Sequence, residues 1–192
     1  TITVSVNDGS SDNNFDPVAD QTVTATTTDN DVAGFTVAET GGSTSVAETG
    51  TTDTFTIVLN AQPASNVVLA ITSSDTGEAT VNTPLTFTSA NWNTAQTVTV
   101  TGVDDNLIDG SVNSTLTVAV VDAASDDNFD AVANQTVTAT ATDNDVAGFT
   151  IAQTGGSTSV AETGTTDTFT IVLNAQPSSN VVLSLSSSDT GE

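Results

Sequence analysis

The chain contains no lysine, arginine, histidine, cysteine, methionine or tyrosine. Without histidine, cysteine or lysine it lacks the usual general bases, thiolate nucleophiles and Schiff-base amines, so we expect it not to be an enzyme. The absence of cysteine excludes disulfides. Because its longest apolar runs are only a few residues, the sequence predicts no membrane-spanning segment.

The formal net charge is −24, and no side chain carries a compensating positive charge. Phosphate contacts require lysine or arginine, so a nucleic-acid partner is excluded, and direct contact with an anionic membrane is disfavoured. Such a chain repels itself unless salt screens the carboxylates or divalent cations bind to them. Bound divalent cations are the stronger of these two remedies.

What the chain does contain is an internal repeat. The string DNDVAGFT at residues 29–36 recurs at residues 143–150. The longer string SVAETGTTDTFTIVLNAQP at residues 45–63 recurs at residues 159–177. Both shifts are 114 residues (143 − 29 and 159 − 45), which is long enough for one domain.

This period divides the chain into the C-terminal part of a preceding repeat, one complete repeat and the N-terminal part of a following repeat: residues 1–31, 32–145 and 146–192. Within the complete repeat, apolar residues alternate with threonine in short segments such as Thr54–Leu59. Alternation at period two, rich in β-branched residues, predicts strands. The first strand is expected to be split at Gly41 and Gly42. The sequence therefore predicts an all-β fold of tandem immunoglobulin-like, seven-stranded β-sandwich repeats.

Acidic residues avoid the predicted strands and concentrate in the connections. We expect the third-to-fourth loop, the fifth-to-sixth loop and the exit of the repeat to lie at one end of the sandwich. The aspartates of these connections would converge there: Asp75, Asp104, Asp105, Asp109, Asp143 and Asp145. Converging carboxylates repel unless a cation lies between them, and Ca²⁺ prefers about six to eight oxygen ligands. The alternative is that these residues only form turns and keep the surface soluble.

The residue types also bear on the choice of metal and on the remaining acidic loop. Zinc and copper are poor candidates without histidine or cysteine, and the EF-hand spacing is not matched. The loop DAASDDNFD at residues 122–130 is expected at the opposite end, where metal binding and turn formation remain equally open.

Trp92 is expected to cap the hydrophobic core, and stacking on a ligand is the alternative.

Several motifs together resemble the Calx-beta domain family: FTVAETGGSTSVAETGTTDTFTIVLNAQP, SSDTGEATV, LTFTSANWNTAQTVTVTGVDDN and the closing TDND. The likeness covers the complete repeat and both partial ones. It implies a seven-stranded sandwich whose C-terminal end binds Ca²⁺, and it adds Glu48 as an early carboxylate ligand to the aspartates named above. The sequence departs from the family pattern at Asn144, which replaces the middle acid of a terminal triplet and implies fewer ions or weaker affinity.

The partial repeats retain pieces of the same predicted site: Asp29 and Asp31 in the first, Glu162 and Asp189 in the last. Glu39 becomes Gln153 in the following copy, whereas Glu48 remains an acid as Glu162. Glu48 is therefore the better ligand candidate.

A unit that is repeated nearly unchanged and lacks the usual catalytic side chains indicates a structural function that depends on the length of the array. We expect a non-catalytic, calcium-stabilised spacer in a large secreted bacterial adhesin or matrix fibre, located outside the cell or on its surface. Its expected partners are neighbouring repeats of the same chain and identical chains in a fibre. The alternatives are a carbohydrate- or ice-binding module that uses exposed threonine rows, and a filament subunit completed by strand exchange.

Overall fold

A computed structural model describes residues 1–190, which belong to two compact units, Thr1–Val32 and a second unit that begins at Ala33. Helical structure in the described range is limited to short 3-10 turns: Asp8–Ser10, Thr40–Gly42, Asp122–Ala124, Asp127–Phe129 and Thr154–Gly156. Within residues 1–190, no helix is long and apolar enough to cross a membrane.

The first unit contains a two-stranded antiparallel sheet of β1 (Ile2–Val4) and β2 (Gln21–Val23). The strands of the second unit are, in chain order, β3 (Phe35–Glu39), β4 (Thr44–Ala47), β5 (Thr52–Leu59), β6 (Val67–Ser73), β7 (Ala79–Val81), β8 (Leu85–Phe87), β9 (Gln96–Gly102), β10 (Val112–Val120), β11 (Gln135–Thr142), β12 (Phe149–Gln153) and β13 (Phe169–Leu173). The predicted all-β class is confirmed.

The complete repeat is a sandwich of two sheets. The spatial order is β3-β5-β9-β7 in one sheet and β4-β11-β10-β6-β8 in the other. Period-two alternation turns one apolar row of each strand inward, for example Phe55 and Ile57 of β5 and Val67 and Leu69 of β6, all with 0% exposure. Trp92 packs against this core and is partly buried, in agreement with its predicted capping role.

The first strand is split, as predicted. β3 pairs antiparallel with β5, whereas β4 pairs parallel with β11 in the other sheet. The chain changes sheets at Gly41 and Gly42, whose φ values of 77° and 85° favour glycine. This change matters for function because it places the residue after β4 beside the exit of β11.

The strand count differs from the prediction of seven. The complete repeat contains β3 to β11, because the first strand counts as two and because β7 was not foreseen. β7 has only three residues, ATV, and a single large apolar side chain, so it shows no recognisable alternation, whereas the equally short β8 has two large apolar side chains, Leu85 and Phe87. It pairs with the end of β9 and thereby fixes the position of the preceding residue, Glu78.

The partial repeats keep the strand registers of the complete one. Ile2 pairs with Val23 in β1–β2 as Leu116 pairs with Val137 in β10–β11. The β12–β13 pair likewise repeats the register of β3–β5. Their apolar side chains nevertheless remain largely exposed.

Candidate metal centre

Glu48 follows directly after β4, at the end of the sandwich where β11 leaves its sheet. Its backbone N–H donates to Thr142 O at 3.1 Å, which continues the parallel β4–β11 pairing by one residue. Its side chain turns inward and is 1% exposed. One carboxylate oxygen, Oε2, accepts the backbone N–H of Asn144 at 3.3 Å, while the buried Oε1 has no hydrogen-bond partner.

Gly102, the last residue of β9, allows this arrangement. A Cβ at this position would lie 2.1 Å from the backbone oxygen of Ala47, the residue before Glu48. No flexible side chain could relieve such a clash, since the opposing atom belongs to the backbone. Glycine is therefore required for β9 to pass close to the end of β4.

Glu78 approaches from the other sheet. It directly precedes β7, and its backbone oxygen accepts the N–H of Val103 at 2.9 Å, just beyond β9. The side chain is 6% exposed, and its buried Oε2 has no hydrogen-bond partner. Two buried glutamates thus present unpaired oxygens at the same end of the sandwich.

Three aspartates complete the cluster, which we call the metal centre: Glu48, Glu78, Asp105, Asp109 and Asp145. One carboxylate oxygen each from Glu48, Glu78 and Asp109 lie within 4.8 Å of one another. Oxygens of Glu48, Asp105 and Asp145 form a second group that meets the same 4.8 Å limit. The two groups overlap in Glu48, whose two oxygens face different surroundings.

Burial and mutual repulsion raise the pKa values of the most enclosed acids. Burial is the main cause for Glu48, and neighbouring carboxylates add to it against the lowering effect of the accepted backbone N–H. Burial and then the nearby Asp109 raise the pKa of Glu78. Burial and then the charge of Asp143 raise the pKa of Asp145. Like charges about 5 Å apart repel by about 3 kcal/mol at an effective dielectric constant of about 20, so the centre favours protons or a cation.

The donor set fits a hard cation. Every side-chain donor of the metal centre is a carboxylate oxygen, which suits Ca²⁺ or Mg²⁺ and not zinc or copper. Oxygens that bind one Ca²⁺ at about 2.4 Å can be at most about 4.8 Å apart. Both oxygen groups meet this limit. Unpaired buried oxygens on Glu48, Glu78 and Asp145 supply vacant acceptors.

Three of the aspartates predicted as ligands lie nearby but belong to neither group, and their oxygens accept hydrogen bonds from the chain. Asp75 accepts the backbone N–H of Gly77 at 3.0 Å. Asp104 accepts the side-chain amide of Asn144 at 2.9 Å. Asp143 accepts the backbone N–H groups of Asp145 at 2.6 Å and of Gly110 at 2.9 Å.

These bonds have an electrostatic consequence for Asp143. The two backbone N–H groups lower the pKa of its carboxyl group by stabilising the charged form. Asp143 thus orders the loop around the metal centre.

The predicted ligands of the partial repeats are not drawn together. Asp29 accepts the backbone N–H of Asp31 at 3.0 Å, which repeats the turn made by Asp143 and Asp145. Glu162 and Asp189 are exposed. Within residues 1–190, none of these four belongs to a carboxylate group of metal-binding size.

Glu78 was missed as a ligand from the sequence. The ligands predicted from the sequence include Asp75 of the same acidic segment, SSDTGE, but not Glu78. No local pattern distinguishes Glu78 from Asp75, because the strand that follows Glu78, β7, gives no recognisable alternation in the sequence. The counterpart of Glu78 in the following repeat is Glu192, which lies outside the described residues.

The acidic loop at residues 122–130 has a different role. Asp126 is 5% exposed, and its Oδ2 accepts the backbone N–H groups of Ala64 at 2.7 Å and Ser65 at 2.9 Å. Its Oδ1 accepts both the backbone and side-chain N–H of Asn128, at 3.0 and 2.9 Å. These donors lower the pKa of Asp126 and connect the β10–β11 loop to the β5–β6 turn. Turn formation is therefore the better explanation of this aspartate.

Comparison with known proteins gives distant structural similarity only. No family model matches the chain, and no curated protein matches it. The apo-form Calx CBD1 domain is 10% identical, with a TM-score of 0.37 over 58% of this chain and 98% of that one. Domains 1–6 of the surface layer protein SbsC are 19% identical, with a TM-score of 0.42 over 83% of this chain and 24% of that one. SSP-19, an MSP-domain protein-like family member of Caenorhabditis elegans, is 21% identical, with a TM-score of 0.34 over 53% of this chain and 92% of that one.

Proposed function

We propose that the complete repeat is a calcium-stabilised structural module, and that Ca²⁺ at the metal centre stiffens its joint with the following repeat. The observation that carries this proposal is the pair of buried glutamates with unpaired oxygens, Glu48 and Glu78, in a chain without a single lysine, arginine or histidine. No lysine, arginine or histidine within the 192 residues can neutralise them. A divalent cation can.

The loop that carries Asp105 and Asp109 also contacts the following repeat. Between these two aspartates, Asn106 O accepts the backbone N–H of Gln176 at 2.6 Å, and Ile108 N–H donates to Gln176 O at 3.4 Å. The residue between them, Leu107, forms a parallel β-bridge with Gln176. A cation that fixes both aspartates would therefore also fix the loop that contacts the next repeat.

The exit of the repeat supports the same conclusion. Asp145 is both a member of the metal centre and the last residue of the complete repeat. Its bond to a cation shared with Glu48 would hold the start of the connection against the sandwich. A stiff series of such repeats is suited to an extracellular or cell-surface spacer, such as an adhesin stalk, where Ca²⁺ is abundant and affinities of about 10⁻⁴–10⁻³ M suffice.

Thermal unfolding tests the cation. With a dissociation constant in that range, 10 mM Ca²⁺ should stabilise the folded chain by about 1.4–2.7 kcal/mol relative to chelator, and Mg²⁺ should do less. Asp105→Asn should remove most of this gain. The adjacent Asp104→Asn is the matched control, because it loses the same charge outside both oxygen groups, and it should retain the gain. Equal melting temperatures with Ca²⁺ and chelator would refute the proposal.

A second measurement tests the joint. Spin labels at Thr138→Cys and Thr170→Cys, both at exposed positions, report the distance between the two repeats. Because the chain has no native cysteine, labelling is specific. Ca²⁺ should narrow the distance distribution, and the additional change Glu48→Gln should abolish the narrowing. A width independent of Ca²⁺ would contradict a role in stiffening.

A further inference from the structure

The turn that follows β4 contains Glu48, the acid shared by both oxygen groups of the metal centre, and it closes on itself through Thr51. The hydroxyl oxygen of Thr51 accepts the backbone N–H of Ala47 at 2.6 Å. The backbone N–H groups of Gly50 and Thr51 donate to Ala47 O at 3.1 and 3.3 Å. The turn therefore holds both backbone polar groups of the residue that precedes Glu48.

Thr51 also connects this turn to β9. Its backbone oxygen accepts the N–H of Gly102 at 3.0 Å, and Gly102 is the residue whose close approach to Ala47 O leaves no room for a Cβ. On the other side, Glu48 donates its backbone N–H to Thr142 O of β11. The backbone around Glu48 is thus fixed relative to both sheets. Of these contacts, the one made by a side chain is that of the Thr51 hydroxyl.

The following repeat shows that the bonds of this turn depend on the local sequence. The segment SVAETGTTD of residues 45–53 recurs at residues 159–167. Thr165 Oγ1 accepts the N–H of Ala161 at 2.6 Å, and Gly164 N–H donates to Ala161 O at 3.0 Å. Residues 158–161 form no strand, in contrast to β4. The turn therefore forms without strand pairing on that side, and its own residues determine its shape.

We propose that Thr51 is a positioning residue for the cation: its hydroxyl fixes the peptide before Glu48 and thereby directs the shared carboxylate into the metal centre. This inference rests on the calcium-binding function proposed above. A ligand whose backbone is held before the ion arrives loses less conformational freedom on binding, which favours affinity. Because Thr51 carries no charge, its replacement by another neutral residue leaves the charge of the centre unchanged.

Four variants separate positioning from other effects. Thr51→Val removes the hydroxyl and nearly preserves the shape of the side chain, and Thr51→Ser restores the hydroxyl. Thr165→Val removes the same hydrogen bond in the following repeat, where Glu162 belongs to no carboxylate group of metal-binding size within the described range 1–190. Thr52→Val makes the same substitution at the adjacent exposed threonine, whose hydroxyl makes no hydrogen bond to any residue of that range.

Calorimetric titration of Ca²⁺ into each 192-residue chain measures the effect on binding. Thr51→Val should bind Ca²⁺ about tenfold more weakly than the unmodified chain, as expected when a hydrogen bond that supports a ligand is lost. Thr51→Ser should recover nearly the full affinity, and Thr52→Val and Thr165→Val should bind as the unmodified chain does. Unchanged affinity in Thr51→Val would overturn the proposal, whatever its melting temperature. Affinity in Thr51→Ser as weak as in Thr51→Val would overturn it as well.

Amide hydrogen exchange in chelator tests the same contact without any metal. The Ala47 N–H should exchange at least several-fold faster in Thr51→Val than in the unmodified chain or in Thr51→Ser, because its acceptor is lost. The amide of Ile57, in the central strand β5, should keep its exchange rate, which shows that the sandwich remains folded. Unchanged exchange at Ala47 would contradict the contact and overturn the proposal.

The two proposals fail in different ways. If the unmodified chain binds no Ca²⁺, the calcium function is refuted and the positioning role is refuted with it. If the unmodified chain and Thr51→Val bind Ca²⁺ equally well, only the role of Thr51 is refuted and the metal centre stands.

Discussion

Glu48 and Glu78 come from opposite sheets and place carboxylate oxygens within 4.8 Å of each other in the buried end of the sandwich. Each retains an oxygen without a hydrogen-bond partner. Such a pair is unfavourable in the metal-free protein and favourable around a divalent cation. This difference between the two states determines the predictions for stability.

Replacement of one of these acids should change stability in opposite directions with and without metal. Glu48→Gln removes a buried charge from the repelling cluster, so in chelator at pH 8 the variant should melt at or above the temperature of the unmodified chain. In 10 mM Ca²⁺ it should melt several degrees below it, because the shared ligand is lost. Glu39→Gln, at an exposed glutamate, is the control and should change neither temperature by more than about 1 °C. Parallel shifts in both conditions would show that Glu48 has only a packing role.

Stability should depend on pH in a way that reports the raised pKa values of Glu48, Glu78 and Asp145. In the window above the unfolded value of about 4.3, the folded metal-free chain binds more protons than the unfolded chain. Its free energy of unfolding should therefore fall as the pH rises from about 4.5 toward neutrality.

Groups with lowered pKa values act in a different range. The stability contributed by Asp126 and Asp143 is present above about pH 4 and is lost only on further acidification. Denaturant titrations at intervals from pH 4.5 to 8 should show the stabilisation by Ca²⁺ growing with pH, because protons and Ca²⁺ compete for the same oxygens. A constant difference between Ca²⁺ and chelator would contradict binding at these carboxylates.

Gly102→Ala should damage both the fold and the metal centre. The added methyl group would lie 2.1 Å from Ala47 O and would push the end of β4, with Glu48, away from β9. We expect a loss of about 2–4 kcal/mol in the free energy of unfolding, together with weaker Ca²⁺ binding. Gly9→Ala, where no atom lies within 4 Å of the added methyl group, should leave both unchanged. Full stability in Gly102→Ala would contradict the close approach of β9 to the end of β4.

Asp126→Ala should separate folding from metal binding. It leaves four donors of the β5–β6 turn and the β10–β11 loop without their acceptor, so the melting temperature should fall by several degrees. The Ca²⁺ affinity of the chain that remains folded should be unchanged, because Asp126 lies at the other end of β10 and β11 from the metal centre. Asp127→Ala, at an exposed position in the same loop, is the control. A selective loss of affinity in Asp126→Ala would require a second metal site.

Much of the fold was predictable because alternation and turn residues are local properties. The split at Gly41 and Gly42 could be recognised, and so could the strand at Thr54–Leu59, whose apolar row contributes directly to the core. The sheet to which each strand belongs could not be predicted. The parallel pairing of β4 with β11 joins segments far apart in the chain, and no local sequence pattern indicates it.

For the candidate site, the sequence predicted the end of the sandwich better than the individual ligands. An aspartate that binds a cation and an aspartate that caps a turn are the same residue type in the sequence. They differ in the groups that their carboxylate oxygens contact in the folded chain. Asp75 and Asp104 accept N–H groups of the chain and belong to neither oxygen group, whereas Asp105 and Asp109 belong to the oxygen groups of the centre, although Asp105 also accepts the backbone N–H of Leu107 at 2.7 Å. Glu78 could not be predicted as a ligand because its position depends on β7, whose single large apolar residue, Val81, gives no recognisable alternation.

Isothermal titration of Ca²⁺ into the 192-residue chain tests the central claim most directly. We expect saturable binding with at least one ion per chain, a loss of affinity of about tenfold or more in both Glu48→Gln and Glu78→Gln, and unchanged binding in Glu39→Gln. The Ca²⁺ concentration range of the titration should extend to about 10 mM, ten times the largest dissociation constant expected of an extracellular module. An absence of saturable binding over that range would contradict a Ca²⁺ site at the metal centre. Binding that survives both buried substitutions unchanged would contradict it equally.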